Sequence, residues 1–306
     1  MSTSTAIARI DLVKRPSRPP AALTARQAAE LREEREPKPF LKWVGGKGRL
    51  LSQLTPLLPP GVARMRHVEP FVGGGAFFFA RSPARALLSD VNPDLIGTYQ
   101  AIRDDVEGVI VNLEILAQGH SKEAYYGVRS DYNASLGDTS TERAAQFIYL
   151  NKTCFNGLHR VNKRGEFNVP AGTYVKPRIL DEGALYAAHR ALAGVEIRCA
   201  GFEALVQDAR PGDFVYFDPP YEPVSETARF TAYAQGGFDQ DAQRKLRDVY
   251  RELDRRGARL MLSNSDVPFI RELYSDFHID TVAAPRAINC DGRGRGKVAE
   301  VVVRNY

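Results

Sequence analysis

Asp218, Pro219, Pro220 and Tyr221 follow the apolar run Phe214 to Phe217, and together they set hydrogen-bond acceptors beside an aromatic face. The run is rich in β-forming residues, opens after Gly212-Asp213 and stops at two prolines, so it reads as a buried parallel strand ending at Asp218. Open α/β sheets bind ligands at such carboxyl ends. Consecutive prolines fix φ and remove two backbone donors, leaving nearby carbonyls to accept from a group outside the protein. A planar ring with an amino group suits this set. Tyr221 stacks on the ring, and Asp218 with the Pro219 carbonyl accepts both amino hydrogens. On four residues alone, Asp218 as a helix cap beside strand-breaking prolines is an equally simple reading, so the surrounding chain decides.

Two glycine-rich turns lie upstream. Phe40-Leu41-Lys42-Trp43-Val44-Gly45-Gly46-Lys47-Gly48 leads into Arg49 to Leu58, where apolar residues at 50, 51, 54, 57 and 58 predict a helix that Pro59-Pro60 ends. Such a turn offers backbone N–H groups to an anion. It is not a phosphate-binding loop of the Walker type, since Leu41 and Gly48 stand where Gly and Ser or Thr are needed. Val68 to Phe77 reads as a strand, the glycines Gly73, Gly74 and Gly75, and a helix through Ala80. The glycines let a backbone approach a ligand closely, and Phe78 in place of a third glycine argues for a nucleoside over a dinucleotide. Leu87 to Asp90 is a second strand ending in an acid, placed to accept from ribose hydroxyls. Asn92 and Pro93 then start a helix with Leu95, Ile96, Tyr99 and Ile102 on one face.

From about residue 105 to 180 the strand–helix alternation gives way to helical, polar and aromatic segments, read as an insert. Its centre is Asn151 to Arg160, followed by Arg164 to Pro170, with Asn-Gly and Arg-Gly turns that suit a hairpin meeting a duplex. Between Lys152 and Arg178, six basic residues (Lys152, Arg160, Lys163, Arg164, Lys176, Arg178) face the single acid Glu166. A solvated basic surface accounts for the hairpin as readily, until the neighbouring acceptor site is considered.

The alternation resumes at Val195 to Cys199, passes the Asp218 strand, and continues with a helix from Asp239 to Arg256 that turns Leu246, Val249, Tyr250 and Leu253 inward before Gly257. Arg259 to Asn264 is a further buried strand. Phe277 to Ala283 and Val298 to Arg304 form a closing pair around the basic loop 286–297, and residues 222–237 sit where a substrate-ordered lid would sit. Residues 1–37 read as a flexible arm with a short helix across Ala25 to Glu36.

The chain of 306 residues, 43% hydrophobic and 26% charged with a net charge of +5, is globular, and its balance permits a polyanionic partner without requiring one. Cys154, Cys199 and Cys290 have no zinc-ligand spacing and read as reduced and structural; no metal is expected. No apolar run reaches the ~20 residues of a membrane span or resembles a signal peptide, so a cytoplasmic chain with no membrane partner is expected; a monomer is the default expectation.

Taken in order, Phe40 to Lys47, Glu69 to Ala76, Ser89 to Asn92, Asn151 to Arg160, Arg164 to Pro170 and Asp218 to Tyr221 resemble the Dam-type DNA adenine-N6 methyltransferases. These are the D12 class, with the cofactor motif first, the recognition insert second and the catalytic motif third. The resemblance runs from about Pro39 to Tyr306. It implies a Rossmann-like α/β S-adenosylmethionine-dependent methyltransferase sheet with an inserted, mainly helical target-recognition domain carrying a β-hairpin. The arm is then 1–37, the catalytic domain 38–92 with 181–306, and the recognition domain 93–180. By the same resemblance Trp43, Lys47, Phe71, Gly73, Gly75, Asp90 and Asp218 surround S-adenosylmethionine, with Trp43 beside the adenine, the glycines under the methionine part and Asp90 on the ribose. Asp218, Pro219, Pro220 and Tyr221 are implied as catalytic. Lys42, Phe155, Asn156, Leu158, Arg160 and Pro170 are implied to contact double-stranded DNA. Phe155 stands where a related member has Tyr, and Thr153, His159 and Ala171 also depart from members of the family.

The expected reaction is methyl transfer to N6 of a flipped-out adenine in a short duplex sequence, with GATC as the candidate and a cognate restriction endonuclease as a possible partner. Lys152, Lys163 and Arg164 are expected on phosphates, and Arg160 and Lys42 on guanine edges. The alternatives are an amino-methyltransferase on cytosine N4 or a protein amide, whose members usually place Ser or Asn at the Asp218 position, one acting on RNA, and a non-catalytic DNA-binding regulator. The regulator has no physical need for Trp43, Lys47, Asp90 and the whole Asp218 motif.

Overall fold

The four residues of Phe214–Phe217 are all buried, yet they serve two different cores. Phe214 and Tyr216 pack with Leu50, Leu54, Phe77, Met261 and Val302, whereas Val215 and Phe217 pack with Leu246, Leu260, Leu262, Val301 and Val303. A strand turns alternate side chains to opposite faces, so a continuous apolar run marks a sheet covered on both sides. The protein, described from a computed structural model over residues 35–224, 238–285 and 297–306, has one such sheet at its centre.

Its strands are β1 (His67–Glu69), β2 (Ala86–Asp90), β3 (Glu196–Cys199), β4 (Phe214–Phe217), β5 (Arg259–Ser265), β6 (His278–Pro285) and β7 (Lys297–Arg304). They lie in the order β3-β2-β1-β4-β5-β7-β6. The first five are parallel, and β7 inserts antiparallel between β5 and β6. The chain leaves β1 toward β2 on one side and returns to β4 on the other, which makes the β1/β4 boundary the switch point where α/β sheets bind ligands. The expected α/β class and the closing strand pair are both present.

The helix Gln240–Arg255 covers one face with Leu246, Val249, Tyr250 and Leu253, as the periodicity predicts. Each fully buried leucine contributes about 1.5–3 kcal/mol. Asp239 accepts from Ala242 N at its start, and Gly257 follows its end at φ 83°. The helix Pro93–Asp104 begins on Asn92, whose Oδ1 accepts from Asp94 N and Leu95 N at 3.1 Å each. The helices Val106–Gln118, Lys122–Ala134, Thr141–Thr153 and Glu182–Leu192 follow before β3 and share one core with Phe40, Phe78, Leu88 and Ile197 from the sheet side. No described helix is long and apolar enough to cross a membrane.

Two local expectations change. Arg49 to Leu58 is not one helix but three short pieces, Lys47–Arg49, Leu51–Leu54 and Thr55–Leu57, because Pro56 cannot donate within a continuing helix. Asn151 to Thr153 belong to the end of Thr141–Thr153, so the hairpin starts later than its motif suggests. The arm is described only from Arg35, which pairs with Asp181 and accepts from Arg190 through its carbonyl. Its other residues, with most of the expected helix across Ala25 to Glu36, lie outside the described residues, as do 225–237 of the expected lid, 286–296 of the basic loop, and Cys290.

Candidate active site

The ends of β2, β1 and β4 lie side by side, so Asp90, the glycines after Glu69, and Asp218 line one edge of the sheet. Register fixes this: His67 pairs with both Ala86 and Phe214, and Val68 with Leu87 and Val215.

Asp218 is partly buried, and Lys47 Nζ lies 2.8 Å from its Oδ1. Burial pushes the Asp218 carboxyl up to about 6; the Lys47 ammonium pulls it down, and the Glu300 and Glu69 carboxyls push it up. Lys47 reaches it from the turn Lys47–Arg49, is itself only 6% exposed, donates to Gly45 O at 2.9 Å, and sits 4.4 Å from the centre of the Tyr221 ring. The Tyr221 hydroxyl donates to Glu300 Oε2 on β7 at 2.7 Å, which fixes the ring's orientation. Burial, ahead of the neighbouring acids, raises the Tyr221 phenol well above its ordinary value, so it stays neutral.

The Pro220 carbonyl is taken. Gln243, fully buried on Gln240–Arg255, donates to it at 3.0 Å, and Asn264 Nδ2 donates to Gln243 Oε1 at 3.2 Å. Asn264 Oδ1 accepts from Glu222 N at 3.0 Å, and Ser265 Oγ donates to the Glu222 carbonyl. No donor among the described residues reaches the Pro219 carbonyl.

The glycine loop is held from both sides. Gly73 N donates to Asp90 Oδ2 at 3.1 Å, and the Tyr99 hydroxyl donates to Gly73 O at 3.1 Å. A side chain at Gly73, where φ is 46°, would meet Trp43 Cδ1 at 2.8 Å and Nε1 at 2.9 Å; one at Gly75, where φ is 68°, would meet Tyr99 Oη at 2.6 Å. The space beside these glycines is therefore filled by Trp43 and Tyr99, a packing reason for glycine besides the close approach to a ligand that the sequence suggested. Asp90 Oδ1 also accepts from Asn92 N at 3.0 Å. Each Asp90 oxygen keeps a second lone pair, and burial raises its carboxyl above the ordinary value. Beside it, Phe71 stacks on Phe202 at 5.6 Å and both pack on Phe238, an aromatic wall at the β1 and β3 ends.

Beneath the site Glu69, His67 and Arg81 form a buried chain. Arg81 Nη1 lies 2.7 Å from His67 Nδ1, and His67 Nε2 lies 2.7 Å from Glu69 Oε1. Burial holds His67 well below its ordinary value and pushes Glu69 up to about 8.

The expected DNA-contacting residues gather on one segment, but not all face outward. Phe155 is 50% exposed, and Asn156 beside it takes φ 55°. Arg160 is exposed, and its Nε donates to Asn168 Oδ1 at 2.7 Å across the hairpin. Pro170 is exposed while its carbonyl accepts from Phe155 N at 2.9 Å. Leu158 instead packs against the core. Lys42 donates to the Lys152 carbonyl at 3.2 Å and lies 4.0 Å over the Tyr174 ring, and its backbone is clamped by Asn151 through two bonds of 2.8 Å. The hairpin itself is slight, a Val161–Phe167 bridge around the turn capped by Asn162, with Lys163 and Arg164 at its exposed tip.

Sequence reading passed over Gln243, Asn264, Ser265, Glu300, His67 and Arg81. A signal existed for two of them: Asn264 and Ser265 are polar residues ending a buried strand, the place where ligands or their supports sit.

The profile of the D12 class N6 adenine-specific DNA methyltransferase family matches residues 43–288. The type II methyltransferase M.MjaIII of Methanocaldococcus jannaschii is 44% identical over 288 residues, 89% of this chain and 100% of the relative. The type II methyltransferase M1.LlaDCHI of Lactococcus lactis subsp. cremoris is 42% identical over 274 residues, 88% of this chain and 95% of the relative. The DNA adenine methylase of Escherichia coli strain K12 is 36% identical over 265 residues, 86% of this chain and 93% of the relative.

Proposed function

Because the chain belongs to the D12 class N6 adenine-specific DNA methyltransferases, we propose that Asp218, the Pro219 carbonyl and Tyr221 hold the adenine whose amino nitrogen is methylated. The enzyme methylates adenine N6 in DNA with S-adenosylmethionine as donor. The observation that carries the proposal is the meeting of two strand ends. Asp218 at the end of β4 lies beside the glycine loop at the end of β1, so acceptor and cofactor sites share one sheet edge.

The residues present fit the cofactor. Asp90 keeps lone pairs for ribose hydroxyls, Phe71 and Phe202 offer an apolar wall to a purine, and Trp43 backs the loop from Gly73 to Gly74. S-adenosylmethionine, when bound, supplies an electrophilic methyl group.

The amino nitrogen of adenine is a poor nucleophile, since its lone pair is delocalised into the ring. Asp218 and the Pro219 carbonyl accept its two hydrogens and favour a pyramidal nitrogen with a localised lone pair. These acceptors bind the developing positive charge more strongly than the ground state, so they lower the barrier and not only KM. Lys47 keeps Asp218 ionised for that task, and Asp218 stands ready for the proton the nitrogen must lose. Pro220 serves as the anchor, tied to Gln243. No nucleophilic side chain is required.

A base inside a stacked duplex cannot reach this edge, so the adenine flips out at a cost of a few kcal/mol, and stacking on Tyr221 offsets part of that cost. Residues 93–180 carry target recognition. Phe155 fills the gap left by the flipped base, with Asn156 beside it at the hairpin start. Arg160 offers donors to a guanine edge, Lys42 and Leu158 support the segment, and Pro170 lies against the backbone. Lys152, Lys163 and Arg164 meet phosphates. The target is a short duplex sequence with GATC as the candidate, read by a monomer in the cytoplasm, and the type II names of two relatives support a restriction partner. Asp218→Ala tests the assignment: the variant is expected to bind duplex within a few-fold of wild type and to transfer no labelled methyl. An active Asp218→Ala protein refutes it.

A further inference from the structure

His159 lies in the recognition segment, yet it touches the cofactor side of the molecule. Its ring stacks on Trp43 with centroids 5.8 Å apart at 24°, and packs on Phe147 at 5.6 Å and Phe167 at 5.9 Å. Trp43 in turn lies against Gly73 and Gly74, where an added Cβ would come within 2.8 to 3.0 Å of its side chain. His159 Nδ1 is also 3.4 Å from Asn92 Nδ2, and the backbone N–H of Asn92 donates to Asp90 Oδ1. One imidazole thus contacts both arms of the cofactor site, the glycine loop through Trp43 and the Asp90 turn through Asn92.

The nitrogens do not explain its place. With Nδ1 accepting from Asn92, the proton sits on Nε2, which is buried and has no partner among the described residues. The ring's faces make the contacts instead. The exposed Arg160 follows it directly in the chain and the exposed Phe155 lies one short turn before it, both on the surface assigned to DNA.

We propose that His159 is a positioning residue that couples the two sites: by stacking on Trp43 it makes the cofactor loop and the DNA-reading hairpin order one another. This rests on the reading above that the loop Trp43 backs holds the cofactor and that residues 155–170 meet DNA. Linkage requires such a coupling to be reciprocal, so duplex tightens cofactor binding by the factor by which cofactor tightens duplex binding. A stack that only filled space contributes to folding and leaves this ratio alone.

Trp43 is the only tryptophan in the chain, so its emission reports the stack directly. The experiment titrates S-adenosylhomocysteine into the full chain by tryptophan fluorescence and by calorimetry, with and without a duplex bearing the sequence found methylated in vivo. In wild type the duplex is expected to lower the Kd by about 5- to 150-fold, in His159→Ala to leave it within about twofold, and in His159→Phe to keep most of the wild-type ratio. Melting curves establish that both variants are folded. A wild type without coupling, a His159→Ala protein that retains it, or a folded His159→Phe protein as uncoupled as His159→Ala overturns the proposal. Calorimetric binding with no change in Trp43 emission overturns instead the premise that Trp43 lines the cofactor site.

Discussion

Replacing Lys47 by methionine removes the ammonium 2.8 Å from Asp218 Oδ1 while keeping a stem of similar length against Tyr221. The Asp218 carboxyl stands at about 6 because burial raises it and Lys47 restrains it. An opposite charge at such a distance lowers a carboxyl by about 1–3 pH units, so Lys47→Met raises the Asp218 carboxyl further. At 1.36 kcal/mol per unit, Lys47 contributes about 1.4–4 kcal/mol toward the ionised form. Catalysis uses that ionised form as acceptor, so activity is present above the Asp218 value and lost as pH falls through it. Wild type should therefore show an acid limb near 6 in the single-turnover rate. In Lys47→Met the limb moves to higher pH, and the rate falls about 1.3- to 30-fold at a pH of about 7.5 before recovering in alkali. Single-turnover transfer of labelled methyl to a saturating target duplex across that pH range reads the shift, with binding measured separately at each pH. A limb that stays in place, or a loss equal at every pH, refutes the electrostatic role of Lys47.

Gln243→Leu leaves the Pro220 carbonyl and the Asn264 Nδ2 without their partners among the described residues; a small displacement of the acceptors should lower kcat by about 10²-fold with Kd values little changed, and an unaltered kcat would show that the anchor is dispensable. Glu69, pushed up to about 8, holds a proton in the native state that the unfolded chain releases at lower pH, so its contribution to stability is full below the ordinary carboxyl value and lost as pH rises through about 8. Denaturant melts of Glu69→Gln should then fall less steeply between pH ~5 and ~8.5, by on the order of 1–4 kcal/mol, and parallel profiles for the two proteins would contradict a protonated Glu69. Arg160→Ala should relax sequence preference, whereas Lys163→Ala, on the hairpin tip, should reduce the salt slope of binding by about 1 and leave preference intact; identical effects in a salt titration on matched and mismatched duplexes would refute that division.

The strand that ends at Asp218 was readable because several local signals agree: Phe214 to Phe217 is a short β-rich apolar run, as a strand buried on both faces requires, and the prolines say where it ends. The start of Pro93–Asp104 was equally legible, since Asn92 and Pro93 are local signals whose partners lie within three residues. What escaped the sequence depends on partners far apart in the chain. Gln243 and Asn264 meet only because Gln240–Arg255 packs across β5, and Tyr221 finds Glu300 only because β7 inserts beside β5. Asn151 read as the start of the hairpin segment; as a buried helical residue it clamps the Lys42 backbone instead, a use that no local pattern announces. The glycines were correctly marked as special, but their immediate reason is the indole of Trp43 and the hydroxyl of Tyr99.

The account stands most directly on Asp218 as the acceptor that activates an adenine amino group in DNA. Single-molecule sequencing of genomic DNA from a methylation-free host, expressing either the wild-type chain or its Asp218→Ala form, measures reaction, base and target together. N6-methyladenine confined to one short motif with wild type and absent with Asp218→Ala is the predicted result. Equal methylation in both strains, or modified cytosine in place of adenine, would contradict it.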